Sequence, residues 1–423
     1  MGQLKTAVIM AGGQGTRLQS VTGPLPKPMV NIRNTTVENF GKAKDTILEH
    51  QIDMLSENGI TNFILVVGNK KEYIQTAFTN EIINQNIPGR NITIRYFVED
   101  RPLGTAGAFC SRELQDMIQE DDFLFTYADV LFDVNIGKMY DLHDRESADA
   151  TVLLSPCSEP DDRPLCVCEK GSNIISDIIP KQGKTDGPRG GVFPNTPKNG
   201  IMILNKSALK LLPKQPTYLD MEESILTKMI YNGAYKVCAW NTPCYIKDIG
   251  TVDRYYEGVS ELSRNIPMHR NPDKAPQQCV IFKAKDLIQV TPEGIAVLNT
   301  ELADAIKVLN DNGVIATVYR DNPQIAVHPQ EDWLIDTMLV RDGDGAFLNT
   351  KFGEEQIEEF NAQMAEWNVA PENILQVDMM PKGCLISHTD GTRKMFGDPE
   401  TAMKDILGTH SFIQDFGGQG DDQ

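Results

Sequence analysis

Short continuous apolar runs alternate with amphipathic stretches from Lys5 to about Arg264. Ala7-Val8-Ile9-Met10 has no polar position, the pattern of a parallel strand buried on both faces. Thr46–Glu57 places Ile47, Leu48, Ile52 and Leu55 on one helical face and is followed by the strand Asn62–Val67. The same reading gives a helix over Lys70–Phe78, a strand over Ile92–Val98, a helix beginning near Thr105, and a strand Asp122–Tyr127 that runs into Asp129. Such alternation predicts an α/β domain: a mostly parallel sheet, helices on both faces, ligands at the carboxyl ends of the strands.

Arg264–Gln278 holds three prolines among polar residues and reads as a linker. A second alternating set follows, with strands at Cys279–Phe282, Val314–Tyr319 and Ile374–Asp378 and helices at Asn299–Asn312 and near Glu354–Trp367. The expected organisation is a domain over 1–264, a linker over 265–278, a second domain over 279–416 and a disordered tail over 417–423. No internal repeat is present, and no hexapeptide pattern of a left-handed β-helix.

Composition narrows the function. A chain of 423 residues with 40% hydrophobic content has ample core for two domains, and no apolar run reaches membrane-span length. The start lacks the basic flank and hydrophobic core of a signal peptide. Met1-Gly2-Gln3-Leu4-Lys5-Thr6 formally matches a myristoylation signal, but Leu4 and Thr6 border a strand expected to be buried. The eight cysteines are scattered, Cys166 and Cys168 being the one close pair, so reduced thiols and a cytoplasmic location are expected. A net charge of −19 argues against nucleic-acid binding. It also requires an anionic substrate to be held by local cations, with a divalent metal as the expected help.

The candidate chemistry begins right after the first strand. Ala11-Gly12-Gly13-Gln14-Gly15-Thr16-Arg17-Leu18 has three glycines in four residues, which lets backbone amides turn toward a bound anion. The strand-loop-helix layout adds the positive end of a helix. Arg17 and Lys27, the latter in Pro26-Lys27-Pro28, supply two cations. The loop is neither a Walker loop nor the dinucleotide Gly-x-Gly-x-x-Gly pattern. Asp129 follows an apolar strand, and Asp248 in Asp248-Ile249-Gly250-Thr251 again stands between a strand and a helix. Two carboxylates at strand ends can share a Mg²⁺ ion that water and phosphate otherwise coordinate.

The string A-G-G-Q-G-T-R-L followed by P-K-P resembles the signature of the sugar-1-phosphate nucleotidyltransferases. The resemblance extends along the first half, since Glu99-Asp100-Arg101-Pro102-Leu103-Gly104-Thr105-Ala106-Gly107 is similar to the family's E-x-x-P-L-G-T-A-G segment. It implies a Rossmann-like, GT-A-like fold and a reaction in which a sugar 1-phosphate attacks the α-phosphorus of an NTP and releases pyrophosphate. By the same resemblance Arg17, Lys27, Asp129 and Asp248 are catalytic, and Asp129 and Asp248 hold Mg²⁺. Ala11, Gly12, Gly13, Gly15, Thr16, Glu99, Gly104 and Thr105 would bind the nucleotide, with the small residues letting a flat base lie against backbone. Lys181, Asn199, Gly200 and Glu222, with Asp220, would bind the sugar phosphate. Two departures stand out. Pro180 replaces the glutamate of the family's E-K-P, and Asn199-Gly200-Ile201 disturbs the spacing of its N-x-G-I-Y.

The L-G-T-A-G segment is most similar to that of guanylyltransferases for heptose 1-phosphate or mannose 1-phosphate. A cytidylyl- or uridylyltransferase acting on another phosphorylated acceptor is the alternative. A regulatory subunit that binds nucleotide sugar without making it belongs to a different class, and the intact Gly12, Gly13, Arg17, Lys27, Asp129 and Asp248 count against it. The expected partners are an NTP and a sugar 1-phosphate, without nucleic acid or membrane, and with homo-oligomerisation left open. The second half resembles in outline the haloacid-dehalogenase (HAD) phosphatases. Their D-x-D-G start has become Ala284-Lys285-Asp286-Leu287, with alanine at the nucleophile position, and their lysine segment has become Met379-Met380-Pro381-Lys382. Asp342-Gly343-Asp344-Gly345 reads as a charged turn, and Phe396-Gly397-Asp398 as a remnant of the acidic segment. An acid without a nucleophile forms no aspartyl-phosphate, so a phosphatase-like domain without activity is expected.

Overall fold

The computed structural model describes residues 4–33, 42–155, 163–169, 172–180, 197–242, 244–269, 271–274, 277–283, 286, 288–290, 296–299, 302, 308–309, 312, 314–319, 364–365, 367–389 and 391–409. The chain divides into two units. The first holds Met1–Leu154, Cys166–Ile179 and Lys198–Asn265; the second holds Ser155–Leu165, Pro180–Pro197 and Ile266–Gln423.

Among the described residues up to Asp248 there are eleven strands: β1 Thr6–Met10, β2 Asn62–Val67, β3 Thr93–Val98, β4 Asp122–Tyr127, β5 Val130–Asp133, β6 Ala150–Leu154, β7 Leu165–Cys168, β8 Ile175–Ile179, β9 Lys198–Asn205, β10 Val237–Asn241 and β11 Tyr245–Asp248. Seven of them form one sheet in the order β10-β6-β9-β4-β1-β2-β3. β9 alone in this sheet runs against its neighbours, and every other pairing is parallel. The unbroken apolar runs that follow Thr6 in β1 and Asn62 in β2 come from this place in the sheet: Ala7 and Ile9 pack on one face with Leu48 and Ile52, and Val8 packs on the other with Ile64, Val66 and Phe125.

The helix Ile47–Glu57 is capped by Thr46, whose hydroxyl accepts from Glu49 N. The segment after Glu99 differs from expectation. Thr105 opens no helix; a 3-10 turn begins at Gly107 and the helix Arg112–Met117 comes later. The antiparallel course of β9 leaves no trace in an apolar run that reads like its parallel neighbours. β5 and β11 form a separate antiparallel pair beside the main sheet.

The second unit holds β12 Gln277–Lys283, β13 Ile288–Val290, β14 Ala296–Leu298, β15 Ile315–Tyr319, β16 Val369–Met380, β17 Gly383–His388 and β18 Arg393–Phe396. Its sheet runs β15-β12-β16-β17-β18, parallel across the first three strands and antiparallel across the last three. Within the stretch read as a linker, Ile266–His269 is a helical turn and β12 already begins at Gln277. Pro381 and Lys382 form the exposed turn between β16 and β17. Asp286 Oδ2 accepts from Met379 N at 3.1 Å, and Lys283 pairs with Asp378 at 2.5 Å. Ala284, Asp342 and Asp344 lie outside the described residues.

Candidate active site

Parallel β1 and β4 end side by side, and the segments leaving them carry the Gly-rich loop and Asp129. Gly15 is left-handed, with φ 66°, and a β-carbon there would sit 3.2 Å from Lys27 Cγ. Gly13 faces open space, and Arg17 and Thr16 are exposed. The helix expected after the loop is only the 3-10 turn Thr16–Leu18 followed by the single turn Gln19–Thr22. So short an element contributes little dipole. What the loop could offer an anion is therefore its backbone amides and the side chains of Arg17 and Lys27.

Asp129 and Asp248 arrive from distant sequence positions by strand pairing. β11 runs antiparallel to β5 with Asp248 opposite Val130, and Ile249 N donates to Asp129 O at 3.0 Å. Lys27 Nζ lies 2.9 Å from Asp129 Oδ2, Arg254 Nη1 lies 3.4 Å from Asp248 Oδ2, and Gly250 N donates to Asp248 Oδ1 at 2.7 Å. Three of the four residues singled out from sequence meet at Gly250, and the fourth, Asp129, joins them through Lys27. A β-carbon on Gly250 would lie 2.8 Å from Asp248 Oδ1 and 3.4 Å from both Arg17 Nη2 and Lys27 Nζ.

Gln51, on the face of its helix shared with Ile47 and Leu55, is fully buried. Its Nε2 donates to Tyr127 O at 2.8 Å and to Val130 O at 2.7 Å, fastening the backbone on both sides of Asp129. A polar residue on an apolar helical face was the available signal. β11 is held in the same way, with Lys247 Nζ at 2.6 Å and the Tyr245 hydroxyl at 2.7 Å from Glu261 of the following helix, Val252–Ser263.

Glu99 follows β3 and meets Gly12: a β-carbon on Gly12 would lie 2.9 Å from Glu99 Oε2. Burial pushes the Glu99 carboxyl up to about 7, against a backbone hydrogen bond from Leu103. Its Oε1 is buried without a hydrogen-bond partner among the described residues. The small residues beyond it accommodate backbone. A β-carbon on Gly104 would lie 2.3 Å from Leu219 O, and one on Gly107 2.0 Å from Thr217 O. Ala106 N donates to Leu219 O at 3.0 Å and Leu219 N to Leu103 O at 2.9 Å. Thr105 caps no helix: its hydroxyl accepts from Met221 N at 2.7 Å and donates to Asp220 Oδ2 at 3.1 Å.

The acceptor-side candidates gather around Tyr127. Gly200 lacks the β-carbon that would fall 2.5 Å from Tyr127 Cδ2, and Asn199 is buried on β9 beside it. Lys198, not singled out from the sequence, lies 3.4 Å from Glu222 Oε2 with only 6% of its side chain exposed. Lys181 lies outside the described residues. A cavity of about 330 Å³ between Arg33, Lys44, His50 and Asn86 holds none of these residues. Among the described residues no helix is long and apolar enough to cross a membrane, and no group of three or more His, Cys, Asp or Glu could hold a metal. Two carboxylates with hard oxygen donors do suit a Mg²⁺ ion whose other ligands are phosphate and water.

The model of the nucleotidyl transferase family matches residues 6–265. The chain belongs to that family. Among relatives, the D-glycero-alpha-D-manno-heptose 1-phosphate guanylyltransferase of Aneurinibacillus thermoaerophilus is 30% identical over 260 residues, covering 62% of this chain and 99% of that protein. The mannose-1-phosphate guanyltransferase of Yarrowia lipolytica is 29% identical over 275 residues, 64% of this chain and 68% of that protein. Among solved structures, a UDP-glucose pyrophosphorylase of Acinetobacter baumannii shares the fold at 20% identity, with a TM-score of 0.50 over 61% of this chain and 92% of that one. The family match covers the residues that carry the loop, both aspartates and the Lys198–Glu222 pair.

Proposed function

We propose that the protein transfers a guanylyl group from GTP to a mannose- or heptose-type sugar 1-phosphate, giving the nucleotide sugar and pyrophosphate. The convergence of Arg17 Nη2, Lys27 Nζ and Asp248 Oδ1 beside Gly250 carries this reading, because two cations that can hold phosphate meet there a carboxylate that can hold a metal ion. An oxygen of the sugar phosphate forms the new bond to the α-phosphorus while the bond from that phosphorus to the bridging oxygen of pyrophosphate breaks. The nucleophile is already an anion, so no general base is needed; positioning and charge neutralisation suffice. Arg17 and the loop amides bind the β- and γ-phosphates, and Lys27 supports them. Asp129 and Asp248 would hold Mg²⁺, which supplies charge neutralisation at the phosphates when bound.

Glu99 favours a purine with two adjacent N–H donors. An ionised carboxylate beside Gly12 accepts from both N1–H and N2–H₂ of guanine, whereas uracil offers its edge a single N–H. The two guanylyltransferase relatives point the same way. For the second unit we propose a phosphatase-like fold lacking the aspartate nucleophile, supported by Ala284 in the sequence and by the parallel order β15-β12-β16. The test of the activity is to incubate the full chain and Mg²⁺ with each of the four NTPs and with mannose 1-phosphate or heptose 1-phosphate, following pyrophosphate. GTP should give the fastest release; equal or faster release from UTP or CTP would overturn the guanylyl assignment.

A further inference from the structure

Lys198 sits where the sheet opens onto the acceptor side. β9 makes its last pairing with β4 at Ile201 opposite Thr126, so Lys198, three residues earlier, lies past the carboxyl end of β4, the end from which Asp129 emerges. Its ammonium is enclosed. Burial opposes the charge, but Tyr127 and the Glu222 carboxylate offset this, and the pKa stays above the ordinary lysine value. Glu222 opens a π-helical turn, Glu222–Leu226, a geometry that occurs mostly as single turns and often at functional sites.

The two acids of this segment are not equivalent. Asp220 is committed locally: Oδ1 accepts from Glu222 N at 2.8 Å and Glu223 N at 3.4 Å, and Oδ2 from Thr105 Oγ1 at 3.1 Å. Glu222 is held through one oxygen by Lys198, and its side chain keeps 22% exposure. Stability alone does not account for the pair, since replacing a buried ion pair with apolar residues is often neutral or favourable. A carboxylate fixed in one place is the better reason for it.

We infer that Lys198 is a positioning residue of the acceptor subsite, whose ammonium orients the Glu222 carboxylate to receive hydroxyl groups of the acceptor. This rests on the nucleotidyltransferase reading above. One cation matched by one carboxylate leaves no net positive charge for a second anionic group, so the end of the acceptor away from its phosphate should be an uncharged polyol.

The experiment is steady-state kinetics of the full chain with GTP, and with mannose 1-phosphate or heptose 1-phosphate as acceptor, for wild type, Lys198→Met, Lys198→Arg, Glu222→Gln and the Lys198→Met/Glu222→Gln double variant. Lys198→Met should raise the acceptor KM by roughly ten- to a hundredfold, the scale of leaving a partly buried charge unpaired, with the KM for GTP unchanged. Lys198→Arg should recover part of the loss, and the double variant should be no weaker for acceptor than Glu222→Gln alone. Additive losses in the double variant, or an equal rise in the KM for GTP, would overturn the inference. Should Lys198→Met not fold, Lys198→Gln takes its place under the same expectations. An inactive wild type would instead overturn the function reading itself; an active one with unchanged acceptor KM in Lys198→Met overturns only the role of Lys198.

Discussion

The site contains two lysine–carboxylate pairs that look alike in sequence and differ in every physical respect that matters. Lys27–Asp129 is the more open, with side chains 12% and 31% exposed against 6% and 22%, and Arg17, Asp248 and Arg254 lie within reach of the same space. Lys198–Glu222 is closed, with the lysine enclosed and the neighbouring Asp220 fully engaged. An open cluster of three cations and two carboxylates can exchange partners when a phosphate enters, because water and ligand compete for the same charges. A closed pair cannot, so it serves geometry rather than charge transfer. On the function proposed above, the first belongs with chemistry and the second with recognition.

Breaking the open cluster should have the largest effect. Asp129→Asn and Asp248→Asn should each lower kcat roughly 10²–10³-fold while the melting temperature holds, and pyrophosphate release near wild-type level from either variant would remove the metal-holding role. EDTA should abolish turnover and Mg²⁺ restore it.

Arg17→Ala and Lys27→Ala should come next, on the order of a hundredfold per lost charge contact. Raising the sugar phosphate concentration should not rescue them, and a pure acceptor-KM effect would place these cations on the wrong side of the comparison. Lys27→Ala should be the more damaging of the two, since it also removes the partner of Asp129.

Gly104→Ala tests the seam between nucleotide and acceptor segments. A positive φ of 76° and a β-carbon 2.3 Å from Leu219 O combine strain of about 1–3 kcal/mol with a clash. A lowered melting temperature together with raised KM for both substrates is expected, and a variant as stable as wild type would mean that the seam opens freely.

The smallest effect is in pH. Burial raises the Glu99 pKa to about 7, so the folded protein binds this proton more tightly than the unfolded chain does. The resulting cost is absent below the unfolded carboxylate value and grows as pH rises toward 7. Glu99→Gln should therefore stabilise the ligand-free protein at pH 8 and leave it unchanged at pH 4, by thermal denaturation. The wild-type KM for GTP should fall as pH rises through about 7, and that dependence should vanish in the variant; a dependence that persists would mean that another group titrates.

Much of the first unit was legible because local sequence carries it. The apolar runs of β1, β2 and β4 are continuous because those strands are covered on both faces, so their bounds could be read to within a residue or so. The family signature marked Arg17, Lys27, Asp129 and Asp248. Gln51 was missed although its place on an apolar helical face was visible. The helix expected at Thr105 was wrong because its hydroxyl is engaged by Met221 and Asp220, 116 and 115 residues away in sequence.

What the sequence determined by itself was therefore the strand-and-helix alternation, the family, and which charged side chains are candidates, since each of these is written in residues close together along the chain. Tertiary structure alone decided that β9 runs antiparallel, that Asp248 lands beside Asp129, and that the Lys198–Glu222 pair is more deeply covered than Lys27–Asp129. Each of those depends on which strands pair and how deeply a side chain is covered, and desolvation by distant segments has no local signature in the sequence.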